Sequence, residues 1–180
     1  MSSLYEFIER PDLESPLLVV ALDGWIDAGL GAATATSTLL DQLDATTVAV
    51  FDADTLLDHR ARRPMMHLVD GVNTSLTWPS IELRAAADQA GNDLLVLVGA
   101  EPDHTWQAFS RVVVDLALEF GVRMMIGLGA YPAATPHTRD TRLSITAGTA
   151  ELAAELEQLR SNPDGSGTVQ RRIQRYRIEI

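Results

Sequence analysis

The sequence contains neither cysteine nor lysine, and each absence removes several kinds of chemistry. Without cysteine, the 180-residue chain has no disulfides, thiol nucleophiles or thiolate metal sites. All 14 basic residues are arginine, which excludes a P-loop lysine, a Schiff-base lysine and a lysine general base. Any chemistry of the chain must therefore come from its other polar side chains.

Long apolar runs are also missing. The longest, at 17–22 and 94–100, are far shorter than the roughly 20 residues that a membrane-spanning helix needs. The first 16 residues include Glu6, Glu9 and Asp12 and have no basic region followed by an apolar one, so they lack the pattern of a secretory signal. We therefore expect a cytoplasmic protein that does not bind membranes.

Positive charge is scarce over most of the chain, whose net charge is −11. Residues 1–160 contain 10 Arg against 23 Asp and Glu, whereas residues 161–180 contain 4 Arg against 2 acidic residues. The acidic body would repel a phosphate backbone, so nucleic acid is not an expected partner. The short basic tail could still contact an acidic surface.

The sequence does contain apolar runs of the length that strands need. The runs at 16–23, 94–99 and 122–129 predict strands that are buried on both faces of a sheet. Helical periodicity after the first run, followed by a strand at 46–52, indicates a βαβ unit with parallel pairing. The Asp70-Gly71 pair predicts a β-hairpin.

These patterns together predict a three-layer α/β/α domain with a largely parallel central sheet and an antiparallel hairpin extension. The domain is expected to occupy residues 1–160, followed by a flexible linker and basic tail at 161–180. In the helix that follows Pro102, Asp103 is the expected N-cap, and the apolar stripe that starts at Trp106 and Phe109 is expected to enter the core.

The loop after the first apolar run has glycines in a pattern that resembles a phosphate-binding loop. Gly24 and Gly29 have the required spacing, but Leu30 and Gly31 stand where Lys and Ser or Thr are needed. Asp23 and Asp27 would also repel a pyrophosphate. A structural role for the glycines is the favoured interpretation, although the loop lies where open α/β sheets hold ligands.

Further candidate residues follow the other strands. Glu101, Asp103 and His104 could act as acid and base or bind a metal, but such residues also cap helices; we predict no metal site. His137 and Arg139 could bind an anion, or they could cap a turn and pair with a carboxylate. A cluster of three arginines is a candidate protein interface or a solvated patch; its members are Arg60, Arg62 and Arg63.

Several motifs in order resemble the proteasome assembly chaperone 2 family, in particular its actinobacterial branch. They are DGWIDAGLGAATA, FDADTLLDHRARRP, LLVLVGAEPDHTWQAF and GLGAYPAATPHTR, within roughly residues 15–150. The resemblance implies a fold similar to that of the nucleoside phosphorylase and hydrolase-like proteins. It also implies self-association or a protein partner, and it brings neither a cofactor nor a catalytic residue. Such relatives usually continue with further strands and helices beyond residue 139, so we expect this chain to be truncated or naturally shortened relative to them, or residues 161–180 to add a strand to the sheet edge or to a partner.

Two functions remain open at this stage. The first is a non-catalytic, protein-binding, homo-oligomeric module of the proteasome-assembly type. The second is a small-molecule enzyme of the phosphorylase or hydrolase class, with His137 as acid or base, Arg139 as anion holder and Glu101 as substrate orienter. In both cases we expect one shared cleft, lined by Asp23, Gly24, Asp27, Glu101, Asp103, His104, His137 and Arg139.

Overall fold

The protein is an α/β domain built on one large sheet, as seen in a computed structural model. The described residues are 3–24, 27–132, 134, 136, 138, 144–154 and 172–176. They form the strands β1 (Tyr5–Phe7), β2 (Leu17–Asp23), β3 (Thr46–Phe51), β4 (Met65–Val69), β5 (Val72–Thr77), β6 (Ile81–Ala87), β7 (Asp93–Ala100), β8 (Met124–Gly129), β9 (Ser144–Ala147) and β10 (Arg172–Tyr176). The helices are α1 (Gly31–Gln42), α2 (Ala53–Leu56) and α3 (Trp106–Glu119), and residues 150–154 are also helical.

The main sheet has eight strands in the order β1-β3-β6-β7-β2-β8-β10-β9. Strand β2 lies near its centre and pairs in parallel with β7 on one side and β8 on the other. Strands β9 and β10 are also parallel, while the remaining pairs are antiparallel. The predicted α/β fold with a separate antiparallel hairpin is confirmed. The predicted division at residue 160 stays a prediction.

One predicted pairing was wrong, because β2 and β3 are not neighbours. They run in the same direction, as a βαβ unit requires, but β7 and β6 lie between them. Strands β6 and β7 are joined by a short turn and pair over their full length from Ile81↔Gly99 to Ala87↔Asp93. This local hairpin adds to β2 as a unit, so the crossover through α1 reaches the far side of it.

Helices cover both faces of the sheet. Alternate residues of a strand point to opposite faces, so Leu18 and Val19 of β2 enter different layers. Leu18 belongs to the main core with Phe109, Val113 and Leu116 of α3. Helix α1 packs on β2 and β8. This arrangement gives the α/β/α layers.

The apolar stripe of α3 enters the core as predicted except at its first residue, Trp106. Phe109 and Val113 are buried and Phe120 packs at the edge of the core, but Trp106 is 44% exposed. Its ring meets the ring of Phe109 edge-on, with centroids 6.3 Å apart. Trp106 is the first residue of the helix, where its side chain reaches the surface beyond the edge of the core, so the prediction that it is a core residue was wrong.

Strands β4 and β5 form a two-stranded sheet of their own, which we call the arm. They are joined at Asp70 and Gly71, whose φ angles are 51° and 79°. Two successive residues in the left-handed region are typical of the tight turn that matches the twist of a hairpin, so the prediction from the Asp-Gly pair is confirmed. Every residue from 65 to 78 is exposed.

Candidate functional site

The carboxyl ends of β2 and β7 are level with each other and form what we call the rim. Asp23 pairs with Ala100 in the sheet, and the next residue, Glu101, donates its backbone N–H to the Asp23 carbonyl at 2.9 Å. The end of β8 lies at the same edge, since Ala130, the residue after β8, forms a parallel β-bridge with Asp27. Sequence-distant polar residues therefore meet at one edge, as parallel strands require.

Asp27 occupies the position at which a phosphate would bind. Its carboxylate accepts hydrogen bonds from the backbone N–H groups of Ala32 (2.7 Å) and Ala33 (2.9 Å), in the first turn of α1. The 3-10 turn between them has Gly29 and Leu30 at positive φ, which brings the chain back over the helix end. Helix starts attract anions because their first N–H groups lack partners and carry the positive end of the helix dipole. In this protein the Asp27 carboxylate takes the place of such an anion.

Gly24 is required by a close approach at the centre of the rim. A Cβ at this position would overlap the carboxylate of Glu101 and lie 2.9 Å from its Cβ. The Glu101 side chain therefore lies directly across the β2 end. This gives the first glycine of the loop a structural role, as the favoured interpretation of the sequence had it.

Asp103 does not cap α3, so that prediction was wrong. The residue preceding the helix is Thr105, which makes no side-chain capping bond, and the Asp103 carboxylate turns toward the segment after α2 instead. It accepts hydrogen bonds from the backbone N–H of Asp58 (2.8 Å) and from Nε of Arg62 (3.1 Å). The backbone N–H of Asp103 also donates to the Leu56 carbonyl at 2.8 Å. Asp103 thus ties the loop after β7 to the segment that leads into the arm.

Arg62 was grouped by sequence with Arg60 and Arg63, and the structure separates them. Arg62 is half-buried, pairs with Asp103 and directs Nη1 at the Asp23 carbonyl at 3.4 Å, while Arg60 and Arg63 are exposed. The contacts of Arg62 with Asp103 and Asp23 were not predicted from the sequence, because the two partners are 41 and 39 residues away. The available signal was Asp58, four residues earlier, whose carbonyl accepts the Arg62 N–H and forms the turn.

The pKa values of two rim carboxyls shift in opposite directions. Partial burial raises the pKa of Asp23, the negative charge of Asp27 raises it further, and Arg62 opposes both. The pKa of Asp103 is lowered, chiefly by the hydrogen bond from the Asp58 N–H and then by Arg62. Burial and a neighbouring negative charge thus favour the protonated form of Asp23, whereas hydrogen-bond donors favour the ionised form of Asp103.

Three predicted residues remain, and the structure describes only His104 among them. His104 is exposed, and its backbone N–H donates to the Leu56 carbonyl at 3.0 Å. His137 and Arg139 lie outside the described residues, so their place relative to the rim stays a prediction. Over the part of the chain that the structure describes, no group of three or more His, Asp or Glu side chains is arranged to hold a metal ion. Nor is any helix there long and apolar enough to cross a membrane.

The protein is thus an α/β/α domain in which polar residues meet at the carboxyl ends of the central strands. The carboxylates of Asp27 and Asp103 there are bound by the chain's own N–H groups. The PAC2 family model matches residues 21–174. The chain belongs to the PAC2 family. None of the curated proteins matches it.

Several similar solved structures come from actinobacteria. A protein of unknown function from Corynebacterium glutamicum is 33% identical with a TM-score of 0.72, over 97% of this chain and 72% of that one. A protein of unknown function from Mycobacterium tuberculosis is 32% identical with a TM-score of 0.73, over 96% and 66%. A proteasome-assembly chaperone homologue from Mycobacterium tuberculosis is 25% identical with a TM-score of 0.73, over 89% and 74%. These relatives are longer than the part that this chain matches.

Proposed function

We propose that the chain is a protein-binding, chaperone-like module of the cytoplasm that self-associates and acts on proteasome subunits without catalysing a reaction. Membership of the PAC2 family and likeness to a proteasome-assembly chaperone homologue supply the class of partner. The observation that carries the proposal is that carboxylates at the rim are bound within the chain itself. The Asp27 and Asp103 carboxylates are bound by the chain's own backbone N–H groups and by Arg62, which supports a module that works through its exposed surface.

The arrangement at α1 argues most strongly for docking over chemistry. A phosphorylase or a nucleoside hydrolase must accommodate an anionic or sugar group beside strand ends of this kind. Here the Asp27 carboxylate fills the helix start, and Glu101 lies across Gly24. A phosphate entering this edge would meet negative charge where it needs hydrogen-bond donors.

The exposed arginines are the part of the predicted interface that stays accessible. Arg60 and Arg63 flank the tied Arg62 at the base of the arm, so their charges face solvent. Arginine suits this role because its guanidinium binds carboxylates in a bidentate manner and loses less hydration than an ammonium group. We assign them to contact with an acidic patch on the partner.

Native mass spectrometry of the purified chain mixed with separately purified proteasome core subunits from Mycobacterium tuberculosis tests the proposal. We expect a complex of defined stoichiometry, and the double variant Arg60→Glu/Arg63→Glu should weaken it by at least about tenfold. The matched control is Arg123→Glu, an exposed arginine at the opposite end of the sheet, where its N–H donates to the Pro16 carbonyl. Absence of any complex at micromolar concentrations would refute the proteasome assignment.

The enzyme alternative is tested in parallel by thermal shift with nucleosides and inorganic phosphate. If the chain is a docking module, neither class of compound should raise the melting temperature. A compound that stabilises the chain, and whose effect is lost in Asp23→Asn, would favour chemistry at the rim and overturn the proposal.

A further inference from the structure

The outer side of α3 carries an open groove near the start of the helix. Its volume is about 490 Å³, and five side chains line it, those of Trp106, Gln107, Ser110, Arg111 and Val114. Because Trp106, Ser110 and Val114 are each four residues apart, they form one column along the helix. The small Ser110 between two large side chains leaves a hollow that fits an apolar side chain of another molecule.

Trp106 has the properties of an interface anchor. It is 44% exposed, although tryptophan is usually largely buried. Its ring lies edge-on against the buried ring of Phe109, so it loses little freedom when a partner covers it. Thr105, the residue before it, has φ 52°, which β-branched residues rarely adopt. The fold thus accepts an unfavourable backbone conformation at the point where it presents Trp106 to solvent.

Arg111 gives the groove a positive charge that has no partner within the chain. In the part of the chain that the structure describes, its side chain has neither a hydrogen bond nor an ion pair, whereas Arg10 pairs with Glu119 and Arg84 pairs with Glu82. Arg111 is also exposed. A guanidinium binds a carboxylate in a bidentate manner, and Trp and Arg are the side chains that most often dominate protein interfaces. The groove therefore combines an apolar hollow with a carboxylate-binding group.

The groove adjoins the arginines that the proposed function assigns to partner contact. Arg62 pairs with Asp103, which lies three residues before Trp106. The segment that carries Arg60 and Arg63 therefore lies against the start of α3. The two sets of side chains occupy adjoining parts of one surface.

These two segments are positive in a chain that is otherwise strongly acidic. Residues 59–69 and 104–114 contain four Arg and no Asp or Glu, whereas the rest of the chain contains 10 Arg and 25 acidic residues. A partner segment that carries several carboxylates is attracted to this surface and repelled by the remainder of the chain. Charge therefore favours an acidic partner segment and directs it to the groove.

We propose that the groove on α3 takes a large apolar side chain from a proteasome subunit, and that carboxylates flanking this side chain bind Arg111 on one side and Arg60 and Arg63 on the other. The inference rests on the proposed function and names the chemistry of its partner, an acidic segment with one apolar anchor. The apolar contact supplies affinity, and the flanking ion pairs supply orientation.

The complex with proteasome core subunits, measured by native mass spectrometry, provides the first test. We expect Trp106→Ala and Arg111→Glu each to weaken it by about tenfold or more, with little change in melting temperature. Ile8→Ala is the matched control, because Ile8 is also exposed (61%) but lies outside the groove, and it should have no effect.

A complex that depends on Arg60 and Arg63 but is unchanged in Trp106→Ala and Arg111→Glu would overturn the inference and leave the proposed function in place. If the parent chain forms no complex, the proposed function fails, and the peptide measurement that follows decides the inference by itself.

Synthetic peptides test the chemistry of the partner without proteasome subunits. We expect a peptide with a central phenylalanine flanked by glutamates to bind the parent chain, and to bind Trp106→Ala and Arg111→Glu at least about tenfold more weakly. Replacing the glutamates by glutamine, or the phenylalanine by alanine, should also weaken binding. Asp115→Asn should strengthen it, because Asp115 is the exposed acidic residue that follows the groove.

Three results would overturn the proposal. They are absence of peptide binding at millimolar concentration, equal binding of the glutamine peptide, and equal binding of a short single-stranded DNA, which would show attraction to any polyanion.

Discussion

The rim and the arm differ in whether their side chains have partners within the chain. At the rim, the carboxylates of Asp27 and Asp103 are bound by backbone N–H groups and by Arg62. On the arm, apolar side chains cover both faces and are exposed to solvent. The difference indicates that Asp27 and Asp103 at the strand ends help to maintain this fold, whereas the arm presents apolar side chains to solvent.

The largest expected effect comes from breaking the strand that supports the rim. Gly99 has φ 117°, and a Cβ there would overlap the Ser80 carbonyl oxygen and lie 2.9 Å from Cα of Ile81. Gly99→Ala should lower the free energy of unfolding by about 3–5 kcal/mol, measured by chemical denaturation. Gly91→Ala is the control, because Gly91 also has positive φ but has open space around it, and its cost should be about 1–2 kcal/mol. Equal losses would show that the close approach at Gly99 is unimportant.

The next effect tests whether Asp27 takes the place of an anion. Asp27→Ala should destabilise the protein by about 1–2 kcal/mol, because two N–H groups at the start of α1 lose their acceptor. Millimolar sulfate or phosphate should recover part of this loss in the variant and have no comparable effect on the parent chain. Asp41→Ala, an exposed residue at the other end of α1, should cost nothing. An anion that stabilises both proteins equally would contradict our account of the helix start.

A smaller effect concerns the tie between the rim and the base of the arm. A double-mutant cycle of Arg62→Ala and Asp103→Ala should give a coupling free energy of about 1 kcal/mol, reduced by the partial exposure of both groups. Because the folded-state pKa of Asp103 is lowered, its stabilising contribution is present at neutral pH and is lost as the pH falls through that pKa. The two single variants should therefore cost least in acid. Zero coupling at neutral pH would mean that the tie contributes nothing.

The smallest effect has the opposite sign. The pKa of Asp23 is raised, so the folded chain holds this proton more tightly than the unfolded chain, and stability falls as the pH rises through the folded pKa. Asp23→Asn should therefore raise the free energy of unfolding at pH 7 by up to about 0.5 kcal/mol, and this gain should vanish in acid. Urea unfolding at the two pH values measures it. A loss of stability at pH 7 would show that the ionised carboxylate is needed.

The sequence predicted the layers of this fold better than the order of its strands. Continuous apolar runs such as Leu94–Gly99 identify buried strands, but they are the same whether the neighbouring strand is parallel or antiparallel. Placing the β6–β7 hairpin beside β2 depends on contacts across the whole chain. The Asp-Gly turn of the arm, by contrast, is a local signal and specifies its hairpin directly.

At the site, too, the sequence did not predict contacts between residues that are far apart along the chain. The glycine spacing argued against a phosphate loop, but it did not predict that Asp27 binds the start of α1 from five residues away. That contact runs through a turn at Leu30, which is outside the usual capping pattern. The pairing of Asp103 with Arg62 spans 41 residues, and its only local sign is the turn between Asp58 and Arg62. The arm did carry a signal, since the consecutive apolar residues of MMHLV place apolar groups on both faces of a strand.

Hydrogen–deuterium exchange with and without purified proteasome core subunits tests the central claim, that the chain works by docking its exposed surface on a partner and not through the rim. If Arg60 and Arg63 contact the partner, the amides of residues 59–63 should become more protected when the subunits are added, while those of residues 27–33 at the rim stay constant. Exchange at residues 59–63 that does not change on adding the subunits, or new protection confined to residues 27–33, would contradict the claim.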